Sequence, residues 1–236
     1  MADRTVELRR RFLACAGGAG LVIASGASAR GASDEPRGAA KKEEEDVSPA
    51  EDLMREHGVL DRVLLIYEES LRRLDLSQEL DPAVLVGSAG IIRRFIEDYH
   101  EKLEEDQLFP RFEKARTLVE LVTVLRAQHQ AGRGLTEEIQ RLASAPASKA
   151  AADRARLVDA LRRFIRMYRP HAAREDTVLF PALRKIVSAH EYDAMGDDFE
   201  AQEHRLFGQD GFEKTVDEVA RLERRLGIED LARFTA

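Results

Sequence analysis

Apolar residues recur at alternating steps of three and four along most of the chain beyond residue 48, the period of a helix that buries one face. The first run carries Leu53, His57, Leu60, Leu64 and Leu71, and the second Ile92, Ile96, His100 and Leu103. A third, over 115–142, carries Val122, Leu125, His129, Gly132, Thr136 and Ile139. The fourth carries Leu157, Leu161, Phe164, Tyr168, His171, Glu175 and Val178. Start signals agree with this division. Ser48-Pro49-Ala50-Glu51 places an N-cap serine, a proline at the first helical position and a glutamate three residues on. Asp81-Pro82 repeats the cap-and-proline signal. The Ala-Ser-Ala-Pro-Ala-Ser segment at 143–148 reads as a loop, and Pro170 predicts a kink or local irregularity in the fourth helix.

Two further helical stretches follow, at 189–206 and 211–226. The second has Phe212, Val216, Val219 and Leu222 on its apolar face and Gly227 at its end, with a tail expected to pack back on the bundle. The pattern predicts an all-α fold: an up-down-up-down four-helix bundle over 48–187, with a C-terminal helical extension over 188–236 packed on it.

The polar exceptions within these seams carry the chemistry. Each of the four seams holds one histidine. The second and fourth also hold a glutamate four residues later, in His100-Glu-Lys-Leu-Glu104-Glu-Asp-Gln-Leu-Phe-Pro110 and His171-Ala-Ala-Arg-Glu175-Asp-Thr-Val-Leu-Phe-Pro181. A histidine and a glutamate four apart share one helix face. His57 precedes His129 by 72 residues and His100 precedes His171 by 71, so the repeating unit is a helix pair. Four buried imidazoles and two buried carboxylates would be costly without a cation. Imidazole with carboxylate suits iron, manganese or zinc, and both glutamates could bridge two ions. Six such ligands do not saturate two six-coordinate ions, which leaves positions for a small exogenous ligand.

Neighbouring residues add detail. Glu105 and Asp176, each next to a ligand glutamate, are candidate hydrogen-bond partners of the ligands or solvent-facing charges. Tyr99 and Tyr168 either pack the bundle or donate hydrogen bonds near the centre. Gly132, one turn from His129, would leave space for a small ligand. His204, with Glu200 and Glu203 beside it, is a candidate fifth histidine, whereas His190 reads as a surface residue.

Ahead of the bundle, residues 1–29 read as an export signal. A charged start ends in Leu8-Arg9-Arg10-Arg11-Phe12-Leu13, a Gly- and Ala-rich run follows, and Ala27-Ser28-Ala29 offers a cleavage site. Arg9-Arg10-x-Phe-Leu resembles the twin-arginine motif, which implies a periplasmic or otherwise exported protein delivered folded. Residues 30–47 read as a disordered linker of Gly, Ala, Ser and charge. No membrane span is expected after cleavage. The single cysteine, Cys15, would leave with the signal, so no thiolate serves the mature chain. The net charge is −7; residues 1–29 contribute +2, and the remainder stands at −9, which argues against nucleic acid as a partner.

With these motifs in view, the sequence over 48–236 resembles the hemerythrin-like proteins with His–His/Glu cation-binding motifs. The resemblance rests on Arg-Glu-His57-Gly-Val-Leu, the two His-x-x-x-Glu…Leu-Phe-Pro segments, Gln-His129, and the C-terminal Phe-Gly-Gln-Asp-Gly-Phe-Glu-Lys and Leu-Gly-Ile-Glu-Asp-Leu-Ala-Arg-Phe. It implies a non-haem centre of two iron ions, oxo- or hydroxo-bridged, with manganese or zinc less favoured. The implied ligands are His57, His100, Glu104, His129, His171 and Glu175. The implied function is to bind or react with O2 or peroxide, catalase- or peroxidase-like turnover being one form. A non-enzymatic iron or O2 binding or sensing module and a structural, redox-silent metal site remain as alternatives. Oxygen-carrying hemerythrins have a further histidine soon after the third-helix one and an aspartate bridge. Here Gln130, Ala131, Gly132 and Arg133 follow His129, and both carboxylates are glutamates, which counts against reversible O2 carriage.

Overall fold

The computed structural model describes residues 47–144 and 151–235. The signal and linker expectations, and most of the 143–148 loop, lie outside them. Four long helical stretches form the bundle. α1 (Pro49–Asp75) starts where the sequence places it, with the Ser48 hydroxyl accepting the Glu51 N–H and proline at the first position. α2 (82–115) is capped by Asp81, whose carboxylate accepts the Ala83 N–H at 2.9 Å, and ends at Arg116 in a left-handed conformation. α3 (Val119–Ser144) and α4 (151–183) complete the set. α1 packs on α2, α2 on α3, α3 on α4, and α4 returns to α1, so the bundle closes on itself. Among the described residues there is no strand, and no helix is long and apolar enough to cross a membrane.

The predicted seams are the core. Leu53, Leu60, Leu64, Ile92, Ile96, Val122, Ile139, Leu161 and Phe164 are at most 1% exposed. Each such side chain contributes about 1.5–3 kcal/mol through burial. The seams hold the bundle together over its length and leave its middle to the polar residues.

Two helices depart from α geometry at matching places. α2 widens to π-helix over Ile92–His100 and again over Glu104–Leu108, and α4 widens over Glu175–Leu179. The Phe109 N–H reaches back five residues to the Glu104 carbonyl, and the Phe180 N–H does the same to Glu175. The prolines account for both. Pro110 and Pro181 have no N–H to give, and in a regular α-helix their rings would clash with the carbonyl four residues earlier. A wide turn just before the proline removes the clash. The irregularity expected at Pro170 therefore falls at Glu175; α4 stays α-helical across Pro170, through Arg174. The wide turn also takes in an extra residue. Leu179, not Val178, is the buried position after Glu175.

The C-terminal extension consists of α5 (Ala189–Phe207), α6 (Gly211–Leu226) and a single turn, α7 (Leu231–Phe234). α5 packs on α1, and α6 packs on α1 and α2. A two-pronged pair holds α6 in place, Arg62 donating to Glu223 at 2.9 and 2.5 Å. The tail packs back less than expected. Ile228 is buried, but α7 buries no residue, and Leu231 is 67% exposed.

Candidate metal centre

The six repeat residues come together at mid-bundle, all at most 4% exposed. They form two facing histidine pairs. His57 Nε2 lies 3.0 Å from His100 Nε2, and His129 Nε2 lies 3.2 Å from His171 Nε2. The two glutamates sit between the pairs and reach both. Glu104 lies 3.9 Å from His100 Nε2 and 3.4 Å from His129 Nε2. Glu175 lies 3.1 Å from His171, 3.4 Å from His57 and 4.0 Å from His129. Two groups of ligand atoms result, each within 4.8 Å: Glu104, His129, His171 and Glu175; and His57, His100 and Glu104.

Each imidazole turns Nε2 inward because Nδ1 is engaged on the outside. His57 Nδ1 meets Asp176 at 2.7 Å and His100 Nδ1 meets Glu56 at 2.7 Å. His129 Nδ1 meets Glu105 at 3.1 Å and His171 Nδ1 meets Gln128 at 2.9 Å. These partners follow the same twofold logic as the ligands. The residue after each glutamate serves the lone histidine of a neighbouring helix. The residue before each lone histidine serves the His-x-x-x-Glu histidine. The Leu-Phe-Pro segments complete the pattern: Phe180 stacks on His57 and Phe109 on His129, each at 5.5 Å between ring centres. In both copies, Leu is buried, Phe covers a neighbour's imidazole and Pro enforces the wide turn.

The electrostatics expose the need for positive charge. No oxygen of Glu104 or Glu175 has a hydrogen-bond partner, although all four are buried. Burial and the charge of Glu175 push Glu104 well above the usual carboxylate range. Burial would raise Glu175 too, but His171 and His57 pull it well below that range. Burial opposes charging His57, yet the neighbouring carboxylates of Asp176 and Glu175 outweigh it and raise its pKa to about 9. His100 is driven well down by burial and by His57, and His129 is lowered by burial despite Glu105. Burial thus sets Glu104 and Glu175 against each other as charged groups, where bound cations would let both carboxylates ionise with the imidazoles neutral. The donor set fits such ions.

Two expectations about neighbouring residues change. His204 is exposed on α5 and does not join the centre. α5 turns Tyr192, Met195, Phe199 and Glu203 inward, and the next residue lies about 100° further round the helix. His190 is exposed, as expected. The space over Gly132 is filled, because the Tyr168 hydroxyl lies 2.0 Å from where a β-carbon would stand. That hydroxyl donates to Glu101 at 2.7 Å instead of entering the centre. Arg133 joins Glu101 at 2.9 Å to Glu105 at 2.8 Å, and so to His129. Burial would raise Glu105, but His129 and Arg133 bring it down to about 2. Glu56, Gln128, Glu101 and Arg133 had no role in the sequence reading. The visible signal was an acid or amide immediately before each lone histidine.

A bundle whose four helices converge two His pairs on two shared glutamates defines a cation-binding helical domain. The chain belongs to the hemerythrin HHE cation-binding domain family, which matches residues 48–183 and again 121–233. The two matches start 73 residues apart, close to the histidine repeat, so either helix pair can serve as the first half of the motif. The chain is 46% identical over 230 residues to the uncharacterized protein Rv1995 of Mycobacterium tuberculosis (strain H37Rv), covering 96% of this chain and 90% of that one. The same identity and coverage hold for the uncharacterized protein Mb2018 of Mycobacterium bovis. No solved structure matches.

Proposed function

We propose that the centre holds two iron ions and that the protein binds or reacts with O2 or peroxide there. The observation that carries this reading is the set of four buried, unpartnered carboxylate oxygens between two facing imidazole pairs. His57 and His100 would hold one ion, His129 and His171 the other, with Glu104 and Glu175 reaching toward both. Iron would supply cycling between the ferrous and ferric states. The protein's part is to keep all four Nε2 atoms aimed inward through their Nδ1 partners, and to exclude bulk water by stacking Phe109 and Phe180 over the ligands. Six donor groups leave coordination positions for a small ligand. Both remaining histidines of the chain are exposed and unable to fill them.

Metal analysis and an optical spectrum of the aerobically purified chain test the reading. Two irons per chain with a ferric-pair absorption band support it, and zinc with no visible band overturns it. Peroxide turnover that disappears in His129→Ala distinguishes reaction from simple binding. We propose further that residues 1–29 direct the loaded bundle out of the cytoplasm by twin-arginine export. Fractionation of a tagged chain and replacement of Arg9 and Arg10 by Lys test that route, and retention of the native chain in the cytoplasm would reject it.

A further inference from the structure

The helix-pair repeat that sets the ligands in twofold order is broken in charge around them. Four residues after His129 stands Arg133, but four residues after His57 stands Asp61. Two residues after His100 stands Lys102, but two after His171 stands Ala173. Gln128 precedes His129 where Glu56 precedes His57. In the fold these exchanges divide the surroundings of the centre into two unlike halves. On the His129–His171 side, Glu105 meets His129 Nδ1 at 3.1 Å and is itself paired with Arg133 at 2.8 Å and Lys102 at 3.4 Å. His171 Nδ1 meets the uncharged amide oxygen of Gln128 at 2.9 Å. On the His57–His100 side both partners are carboxylates at 2.7 Å, Asp176 on His57 and Glu56 on His100. Among the described residues no lysine or arginine is paired with Asp176. Asp61, the counterpart of Arg133, lies close enough for the charges of His57 and Asp176 to act on it.

We propose that these outer charges make the two metal positions unequal: the His57–His100 position holds its ion more tightly and fills first, and the His129–His171 position fills second and releases first. This rests on the two-ion reading above, but not on the ions being iron. A carboxylate that accepts the Nδ1–H makes Nε2 a stronger donor, and its negative charge favours the nearby cation. The Gln128 amide acts on His171 through a dipole only, and Arg133 and Lys102 return positive charge to the His129 side. Donor count alone points the other way, with four ligand atoms grouped on the His129–His171 side against three on the other. Glu175, however, lies as near to His57 as Glu104 lies to His129, at 3.4 Å, so the glutamates serve both halves and the outer charges decide. Such partners typically change metal affinity by about 10–100-fold each.

The test uses the full chain, stripped of metal and reloaded with Zn2+, its histidines labelled with 15N and assigned through single His→Gln variants. At one Zn2+ per chain, nuclear magnetic resonance should show His57 and His100 at their bound positions and His129 and His171 still metal-free. The second equivalent should move the latter pair. Filling of His129 and His171 first, or of both pairs together, would overturn the proposal. Asp176→Asn keeps an acceptor for His57 and removes its charge, and should weaken the first ion about tenfold or more in chelator competition. Gln128→Glu adds a charge at His171 and should tighten the second ion by a similar factor. Helical content should hold in both variants, and wild-type affinities in both would overturn the proposal. Saturation at one ion per chain would instead reject the two-ion reading, and the order of filling with it.

Discussion

The Tyr168 hydroxyl stands 2.0 Å from the place a β-carbon on residue 132 would occupy, so Gly132 and Tyr168 are shaped to each other across α3 and α4. The glycine lets the phenol reach Glu101 at 2.7 Å and complete the chain through Arg133 and Glu105 to His129. Glycine to alanine inside a helix ordinarily stabilises by about 0.5–1 kcal/mol. Here the collision reverses the sign, and Gly132→Ala should destabilise by about 1–3 kcal/mol, as overpacking does. Denaturant unfolding checks this. Adding Tyr168→Phe should recover part of the loss only, because the ring carbon bearing the hydroxyl would itself be 2.7 Å away.

Asp176 and Glu105 orient His57 and His129 from outside the centre. Removing such a partner typically lowers metal affinity by about 10–100-fold. Asp176→Ala and Glu105→Ala should each do so, measured by chelator competition, with the bundle still folded. Glu105→Ala should have the added effect of leaving Arg133 with Glu101 as its remaining carboxylate partner near the centre, since it pairs with Glu105 at 2.8 Å and Glu101 at 2.9 Å.

The pH dependence follows from His57. Its folded-state pKa, about 9, lies above the ordinary 6.5 because Asp176 and Glu175 outweigh burial. In the metal-stripped chain the protonated form is therefore stabilising. That contribution, at most about 3 kcal/mol, is fully present below about pH 6.5 and is lost as pH rises through about 9. Metal binding has the opposite sign, since the ion must displace this proton. Affinity should rise about tenfold per pH unit for each proton displaced, and the His57 component should level off above about pH 9. Chelator-buffered titrations across this range check both slopes, and His57→Gln should flatten the stability profile.

Pro181 prevents the regular hydrogen bond that would close the turn after Glu175. Pro181→Ala restores that bond and lets the wide turn relax. Phe180 would then leave the face of His57, on which it now stacks at 5.5 Å. Metal affinity should fall while helix content holds or rises, measured by circular dichroism alongside metal retention. Pro110→Ala should act in the same way on His129 through Phe109.

The six central residues were legible because each breaks an apolar seam, and a break at helical spacing survives in the sequence whatever the packing around it. Their outer partners were harder to see. A residue next to a ligand points about 100° away from it on the same helix, so Glu56 and Gln128 serve histidines of other helices. Those pairings depend on helix rotation, which the chain does not display locally. Rotation also decided His204. α5 has a sparse stripe, and its inward phase runs through Phe199 to Glu203, leaving the histidine outside. Gly132 was read as open space because its occupant, Tyr168, comes from another helix. The twofold order of helices, by contrast, could be read directly from the 72- and 71-residue steps between histidines.

The wide turns at Glu104–Leu108 and Glu175–Leu179 put the stretches of α2 and α4 on either side of them in different rotational phase, like rods joined end to end. The stretch leading into the turn aims a histidine and a glutamate at the centre. The rod after it aims a phenylalanine at the adjacent helix's imidazole. Deleting one residue within either turn would return both rods to a common phase, and that helix could no longer serve two neighbours.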